Sequence, residues 1–237
     1  GDGHAILQAR KVIGEEACFV VFPDDIIQSK YPCASQLAQM FKTSQKPVVA
    51  LSRIPKDRIS AYGVVGAEKI ATRFWKIQKI VEKPEAASAP SDLAMVGRCV
   101  ITPDVFDYLK KARPNKRGEI VLNEVLGEMT KEGKMIYGYE FEGTWWECGD
   151  RVKWLRSHLA LSLQHPELGP QAERAARYIT RGAEEMAAAG VIDVDPKLFG
   201  WSMWAAIHGI VMLHQSGMLT HGPDYRTLSY FLGLTML

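Results

Sequence analysis

The chain has 237 residues, 47% of them hydrophobic and 24% charged, which is ordinary globular composition. Twenty-nine basic residues against 27 acidic ones leave a net charge of +2, too even a balance for bulk attraction to nucleic acid or to an anionic membrane. Any recognition of phosphate must therefore be local.

Cys18, Cys33, Cys99 and Cys148 are scattered and form no CxxC pair. This argues against a zinc site and against a disulfide scaffold, and it fits reduced thiols in a cytoplasmic protein. The opening GDGHAILQARKVIGEE is polar and lacks the apolar centre of a signal peptide. The longest apolar stretch, Trp201–Leu213, contains His208 and reaches only about half to two-thirds of a span of roughly 20 residues. It reads as a buried helix.

In chain order, Cys18–Phe22 is a short apolar run that reads as a buried strand and ends in Pro23-Asp24-Asp25. Ser35–Thr43 carries Leu37, Met40 and Phe41 at helical spacing, and Pro47–Leu51 is a second buried strand. Strand, helix, strand predicts a parallel sheet with helices packed on it. Tyr62–Val65, Lys76–Val81 and Ala94–Ile101 are strand-like. Thr102-Pro103-Asp104 supplies a hydroxyl cap and a proline at the first helical position, so Val105–Lys111 should be helical. Glu119–Lys131 repeats Leu122, Val125, Leu126 and Met129 at helical spacing, Met135–Glu140 is a strand, and Val152–Gln164 is again a helix.

After HPELGP, near residue 170, nothing reads as a strand. Glu173–Ala189 is an amphipathic helix. Asp195-Pro196 begins another that runs to about Gln215, where Gly217 can stop it, and Gly222-Pro223-Asp224 begins a third. From Gln171 onward there are 5 basic and 6 acidic residues, so the basic excess lies wholly in the first part. Two modules are expected, 1–170 and 171–237.

Four segments could carry chemistry. Asp24, just past a buried strand, stands at the sheet edge where α/β proteins bind ligands. It could hold a hard cation or simply cap a turn. In Val81-Glu82-Lys83-Pro84, Glu82 could accept hydrogen bonds from sugar hydroxyls and Lys83 could meet a phosphate, or the two could form a surface ion pair. In Trp146-Glu147-Cys148-Gly149-Asp150, the acid could join Asp24 around one metal, or the segment could be a turn. Cys148 has no identifiable base beside it and is a poor nucleophile candidate. Gly1-Asp2-Gly3 before a helix could bring backbone N–H groups to a nucleotide.

The order of these segments is more specific than any one of them. GDGHAILQAR, FPDDII, AYGVV, IVEKP, APSDLAMVGR, GEIVLNEVL, WECGD and the closing HPELG together closely resemble bacterial UTP–glucose-1-phosphate uridylyltransferases, collinearly over most of Gly1–Gly169. The resemblance implies an α/β, Rossmann-like nucleotidyltransferase fold with a mixed central sheet and flanking helices, followed here by an all-α tail. It implies the reaction of UTP with glucose 1-phosphate to give UDP-glucose and pyrophosphate. The sugar phosphate attacks the α-phosphorus while Mg2+ neutralises charge, and catalysis is mainly positioning and electrostatics. Carried over by motif, Asp24 and Glu147 are the metal carboxylates, with Asp24 and Lys83 the catalytic pair. Glu82 and Gly63 face the glucose with Val96 nearby, Lys83 contacts phosphate, and Gly1 and Gly3 belong to the uracil side.

The sequence departs from the family at three places. Glu147 stands where the family has aspartate, and the extra methylene shifts the carboxylate by roughly one bond, a misplacement that can cost about 10²-fold in rate. Asn123-Glu124 replaces Thr-Asp, and Asp2 replaces leucine. The family's G-x-G-T-R-x-x-P loop, which grips the triphosphate, belongs about a hundred residues upstream of Gly1, so little or no transferase activity is expected of the chain as given.

The last 65 or so residues, with WAAIHGIVMLHQSGML and HGPDY, resemble the ligand-binding and dimerisation domain of TetR-type regulators. Phe199–Leu213 is apolar on nearly all sides, as a helix buried in a core or against a partner must be. Two such helices per subunit could build an isologous homodimer interface. The spacing of His208, His214 and His221 does not favour one metal face, and no recognition helix or basic stripe for DNA is visible. A non-catalytic fusion, or a fragment of such a regulator, is the alternative reading of the chain.

Overall fold

The computed structural model describes residues 1–193, 195, 196, 199 and 200. It divides into two compact units, Gly1–Leu155 and Arg156–Leu237. The helices expected from Asp195 to Gln215 and after Gly222, with the proposed dimer face and its histidines, lie outside the described residues apart from a few positions at their start.

The first unit begins with α1 (Asp2–Gln8) and α2 (Arg10–Ile13). These are followed by β1 (Cys18–Val21), β2 (Asp25–Gln28), α3 (Cys33–Ser44), β3 (Val48–Arg53), a 3-10 turn (Lys56–Ala61), β4 (Gly63–Ala71) and β5 (Phe74–Glu82). Next come β6 (Leu93–Ile101), α4 (Pro103–Lys111), α5 (Leu122–Lys131), β7 (Tyr137–Glu140), β8 (Thr144–Glu147) and the start of α6 (Arg151–Gln164).

Six strands form one sheet in the order β1-β6-β3-β7-β5-β4, and β2 pairs with β8 in a separate ribbon. Strand β3 lies near the middle. Val49 and Leu51 point to one face, into a core with Phe106, Leu109, Leu126 and Met129 from α4 and α5. Val48 and Ala50 point to the other, against Cys33 and Leu37 of α3. A period of two with both faces covered explains the continuous apolar run VVAL.

The parallel sheet expected from strand-helix-strand order is corrected here. β6 lies between β1 and β3 and is antiparallel to both, and only β3 and β7 pair in parallel. The reason lies in the connections. The α3 crossover does leave β1 and β3 running the same way, but the antiparallel β4–β5 hairpin returns the chain so that β6 inserts between them, and the crossover through α4 and α5 places β7 beside β3 in parallel.

Two helix starts also differ from expectation. α5 begins at Leu122, three residues later than its pattern suggests, because the Gly3 N–H bonds the Ile120 carbonyl and holds that segment extended. The first N–H of α5, from Leu122, is received by the Asp2 carboxylate at 3.0 Å, a cap supplied from a distant helix. Thr102 is the N-cap of α4, but its hydroxyl bonds the Asp104 carboxylate and makes no bond to a helical N–H.

In the second unit, α7 (Leu168–Ala188) begins earlier than its amphipathic pattern suggests and runs unbroken through residue 170. It is closed by Gly190 in the left-handed region, φ 72°. Arg181 and Glu185 pair along it at 3.0 Å. No helix among the described residues is long and apolar enough to cross a membrane.

Candidate active site

The strand ends of the first unit converge on a cleft of about 380 Å3. Asp24 follows β1, Gly63 opens β4, Glu82 and Lys83 close β5, Val96 lies within β6, and Glu147 ends β8. All six line it. Gly1 and Gly3 do not line it. They pack on Ile120, whose carbonyl a β-carbon on Gly3 would meet at 3.0 Å, and Asp2 between them reaches the cleft.

The floor is built around Glu82. Asn123 donates its side-chain N–H to Glu82 Oε2 at 3.0 Å. Gly63 lies beneath both, so close that a β-carbon there would stand 2.7 Å from Asn123 Nδ2 and 2.9 Å from Glu82 Oε2. Lys83 sits in the left-handed region at φ 46°, with its N–H bonded to the Tyr62 carbonyl at 3.0 Å. A non-glycine residue held there is strained, and such strain is typical of ligand sites.

The Pro23-Asp24-Asp25 turn is pinned from below. Arg98 donates to the carbonyls of Phe22 and Asp25. The Asp25 carboxylate accepts the Gly97 N–H at 2.9 Å and the Trp145 indole N–H at 2.6 Å. Burial pushes the Asp25 carboxyl above its ordinary value, although both bonds oppose the shift. Asp25 is thus a structural acid, and Asp24 is left exposed on the cleft.

The β2–β8 ribbon pairs Asp25 with Glu147, and the Cys148 N–H bonds the Asp24 carbonyl at 2.7 Å. FPDD and WECGD therefore do meet. Both acids line the cleft, but Glu147 is turned toward cations. The Glu147 carboxylate, with only 12% of its side chain exposed, forms an ion pair with Arg58 and lies 3.6 Å from Lys153 Nζ. Burial and the same carboxylate push the Tyr62 phenol upward, so it stays protonated. No group of three or more His, Cys, Asp or Glu among the described residues is arranged to hold a metal ion. The expected two-carboxylate magnesium centre would require Glu147 to leave its ion pair with Arg58, while Asp24 is exposed on the cleft.

The four cysteines are free thiols. Burial pushes Cys33 up to about 11 and Cys99 up to about 12, values that keep them unreactive.

Sequence reasoning missed several residues of this site. Asn123 was legible only as a departure from a pattern, and Asp25 only as the neighbour of Asp24. Arg58, Tyr62, Trp145 and Lys153 carry no local signal, because what brings them together is the ribbon and the start of α6.

A mixed sheet whose strand ends gather carboxylates, lysine and a bare glycine around one cleft defines the α/β class, in which ligands bind at the strand ends. A family model described as nucleotidyl transferase matches residues 1–161, and the chain belongs to that family. Among curated proteins, it is 34% identical over 164 residues to UTP–glucose-1-phosphate uridylyltransferase 1 of Staphylococcus saprophyticus, covering 69% of this chain and 57% of the relative. It is 32% identical over 168 residues to the enzyme of Staphylococcus epidermidis, covering 71% and 58%. Among solved structures, a UDP-glucose pyrophosphorylase complexed with UDP-glucose aligns with a TM-score of 0.67 at 32% identity, over 70% of this chain and 63% of that one. The UTP-bound enzyme of Acinetobacter baumannii aligns at 0.64 and 28% identity, over 73% and 60%. The chain thus spans less than two thirds of the length of these relatives.

Proposed function

We propose that the cleft is the sugar-phosphate side of a UTP–glucose-1-phosphate uridylyltransferase site, for the reaction that joins UTP and glucose 1-phosphate into UDP-glucose and releases pyrophosphate. The observation that carries this is the floor of Gly63, Glu82 and Asn123. A carboxylate fixed through one oxygen keeps the other for a sugar hydroxyl, and the absent side chain lets the ring settle onto backbone. Lys83, turned by its left-handed backbone, is a point charge for the phosphate beside that ring. The relatives named for this reaction and the aligned structure holding UDP-glucose support the same reading.

Within it, Asp24 is the carboxylate facing the reacting phosphate, and Mg2+ is the cofactor expected from the family. No step is assigned to the ion, because Glu147 is occupied elsewhere. The residues of the cleft act by holding the sugar and aligning its phosphate, which is where most of the catalytic advantage in phosphoryl chemistry arises.

The test is calorimetric titration of UDP-glucose in magnesium-containing buffer into the chain and into Asp24→Ala. Saturable binding that is lost or strongly weakened in the variant supports the site, and equal heats for the two would overturn it. The reading of the chain as a regulator fragment or a non-catalytic fusion is not favoured, since residues 1–161 match nucleotidyl transferases. For the end of the chain, the all-round apolar run from Phe199 to Leu213 supports a homodimer through regulator-like helices. A monomer by light scattering would refute that.

A further inference from the structure

Six carboxyl groups line the cleft (Asp2, Asp24, Asp25, Glu82, Glu147 and Asp150) against two lysines, Lys83 and Lys153. An anionic ligand enters such a cleft only where cations are placed to receive it, so the positions of the two lysines decide where a phosphate can lie. Lys83 is already accounted for. Lys153 is not, and it comes from a different element.

The position of Lys153 is built with care. Asp150 caps α6, with Oδ1 accepting the Val152 N–H at 3.0 Å and the Lys153 N–H at 2.9 Å. This fixes the first turn, from which the Lys153 side chain reaches back to the cleft. Its ammonium lies 5.3 Å from the centre of the Tyr62 ring. Three oxygens surround it: Asp150 Oδ2 at 3.4 Å, the Tyr62 hydroxyl at 3.5 Å and Glu147 Oε2 at 3.6 Å. Charge-assisted bonds from an ammonium run closer to about 2.7–2.9 Å. None of the three contacts is of that kind, so the ammonium is steered without being used up. The tighter partner of Glu147 is Arg58, whose guanidinium also lies over the Tyr62 ring at 5.6 Å.

Resting on the sugar-phosphate reading above, we propose that Lys153 is a second phosphate-recognising cation of the cleft, and that Glu147 is the positioning residue that orients it together with Arg58, not a metal ligand. The extra methylene of glutamate fits this role. It carries the carboxylate past the point where an aspartate would end and into reach of the two cations.

The test compares the wild-type chain with Lys153→Met, Lys153→Arg and Glu147→Gln, each checked for native circular dichroism. UDP-glucose is titrated by calorimetry, and Mn2+ is titrated by the loss of the free-ion electron paramagnetic resonance signal. Lys153→Met should weaken UDP-glucose on the order of tenfold, the worth of one charge-assisted contact. Lys153→Arg should restore most of the affinity, which a merely structural role would not require. Glu147→Gln should weaken UDP-glucose while leaving Mn2+ affinity as in the wild type. Unchanged UDP-glucose affinity in Lys153→Met would overturn the phosphate role and leave the sugar-phosphate reading standing. Reduced Mn2+ affinity in Glu147→Gln would overturn the anchoring role. No UDP-glucose binding by the wild type would remove the underlying reading and this inference with it.

Discussion

Asn123 holds Glu82 by a single hydrogen bond, Nδ2 to Oε2 at 3.0 Å, across the floor of the cleft. The bond links the first turn of α5 to the end of β5, elements 41 residues apart in sequence. It also decides which oxygen of Glu82 remains for a ligand. Asn123→Ala should leave a half-buried carboxylate oxygen without its donor, at a cost of about 1 kcal/mol in stability, near the low end for such a loss because water can reach it. UDP-glucose affinity should fall about fivefold, the same energy expressed as binding. Chemical denaturation and calorimetry on one preparation check both.

Gly63→Ala should fold but bind poorly. The added β-carbon would stand under 3.0 Å from Asn123 Nδ2 and Glu82 Oε2, so both side chains must move, at about 1–3 kcal/mol for overpacking. The same change made in Asn123→Ala should cost less, because one of the two obstacles is gone. A double-mutant cycle on thermal stability measures that coupling, and strict additivity would contradict the close contact.

Asp2 serves α5 from another helix. Asp2→Ala removes the acceptor of the Leu122 N–H and should destabilise the first unit by about 0.5–2 kcal/mol, the range for losing a helix cap. Asp2→Asn keeps an acceptor oxygen and should recover most of the loss. Urea midpoints of the three proteins decide this.

Asp25 gives stability a pH dependence of its own. Burial raises its carboxyl above 3.8 in the folded chain, so the folded state holds this proton at pH values where the unfolded state has released it. The resulting stability is fully present below the ordinary carboxylate range and is lost as pH rises through the raised value. Removing the carboxyl in Asp25→Asn should flatten that part of the curve of urea midpoint against pH. An equally steep fall in the variant would assign the dependence to another group.

Much of the chain is legible without coordinates. VVAL, the Leu122–Met129 spacing and the order FPDD, IVEKP, WECGD fix a buried strand, a helix facing a core and the family, because apolar periodicity and a collinear motif series are properties of the chain itself. The same patterns place Asp24, Glu82, Lys83 and Gly63 at element ends, where one cleft then gathers them. They could not show that β6 lies between β1 and β3, because strand neighbours depend on how the β4–β5 hairpin returns the chain. They could not show that Asp2 caps α5, or that Glu147 turns from Asp24 to Arg58 and Lys153. Arg58 lies 89 residues from Glu147 along the chain, and a carboxylate in a cleft settles where the nearest fixed cations stand. Sequence determined which acids reach the site, and only the tertiary structure decided which of them is left open to a ligand.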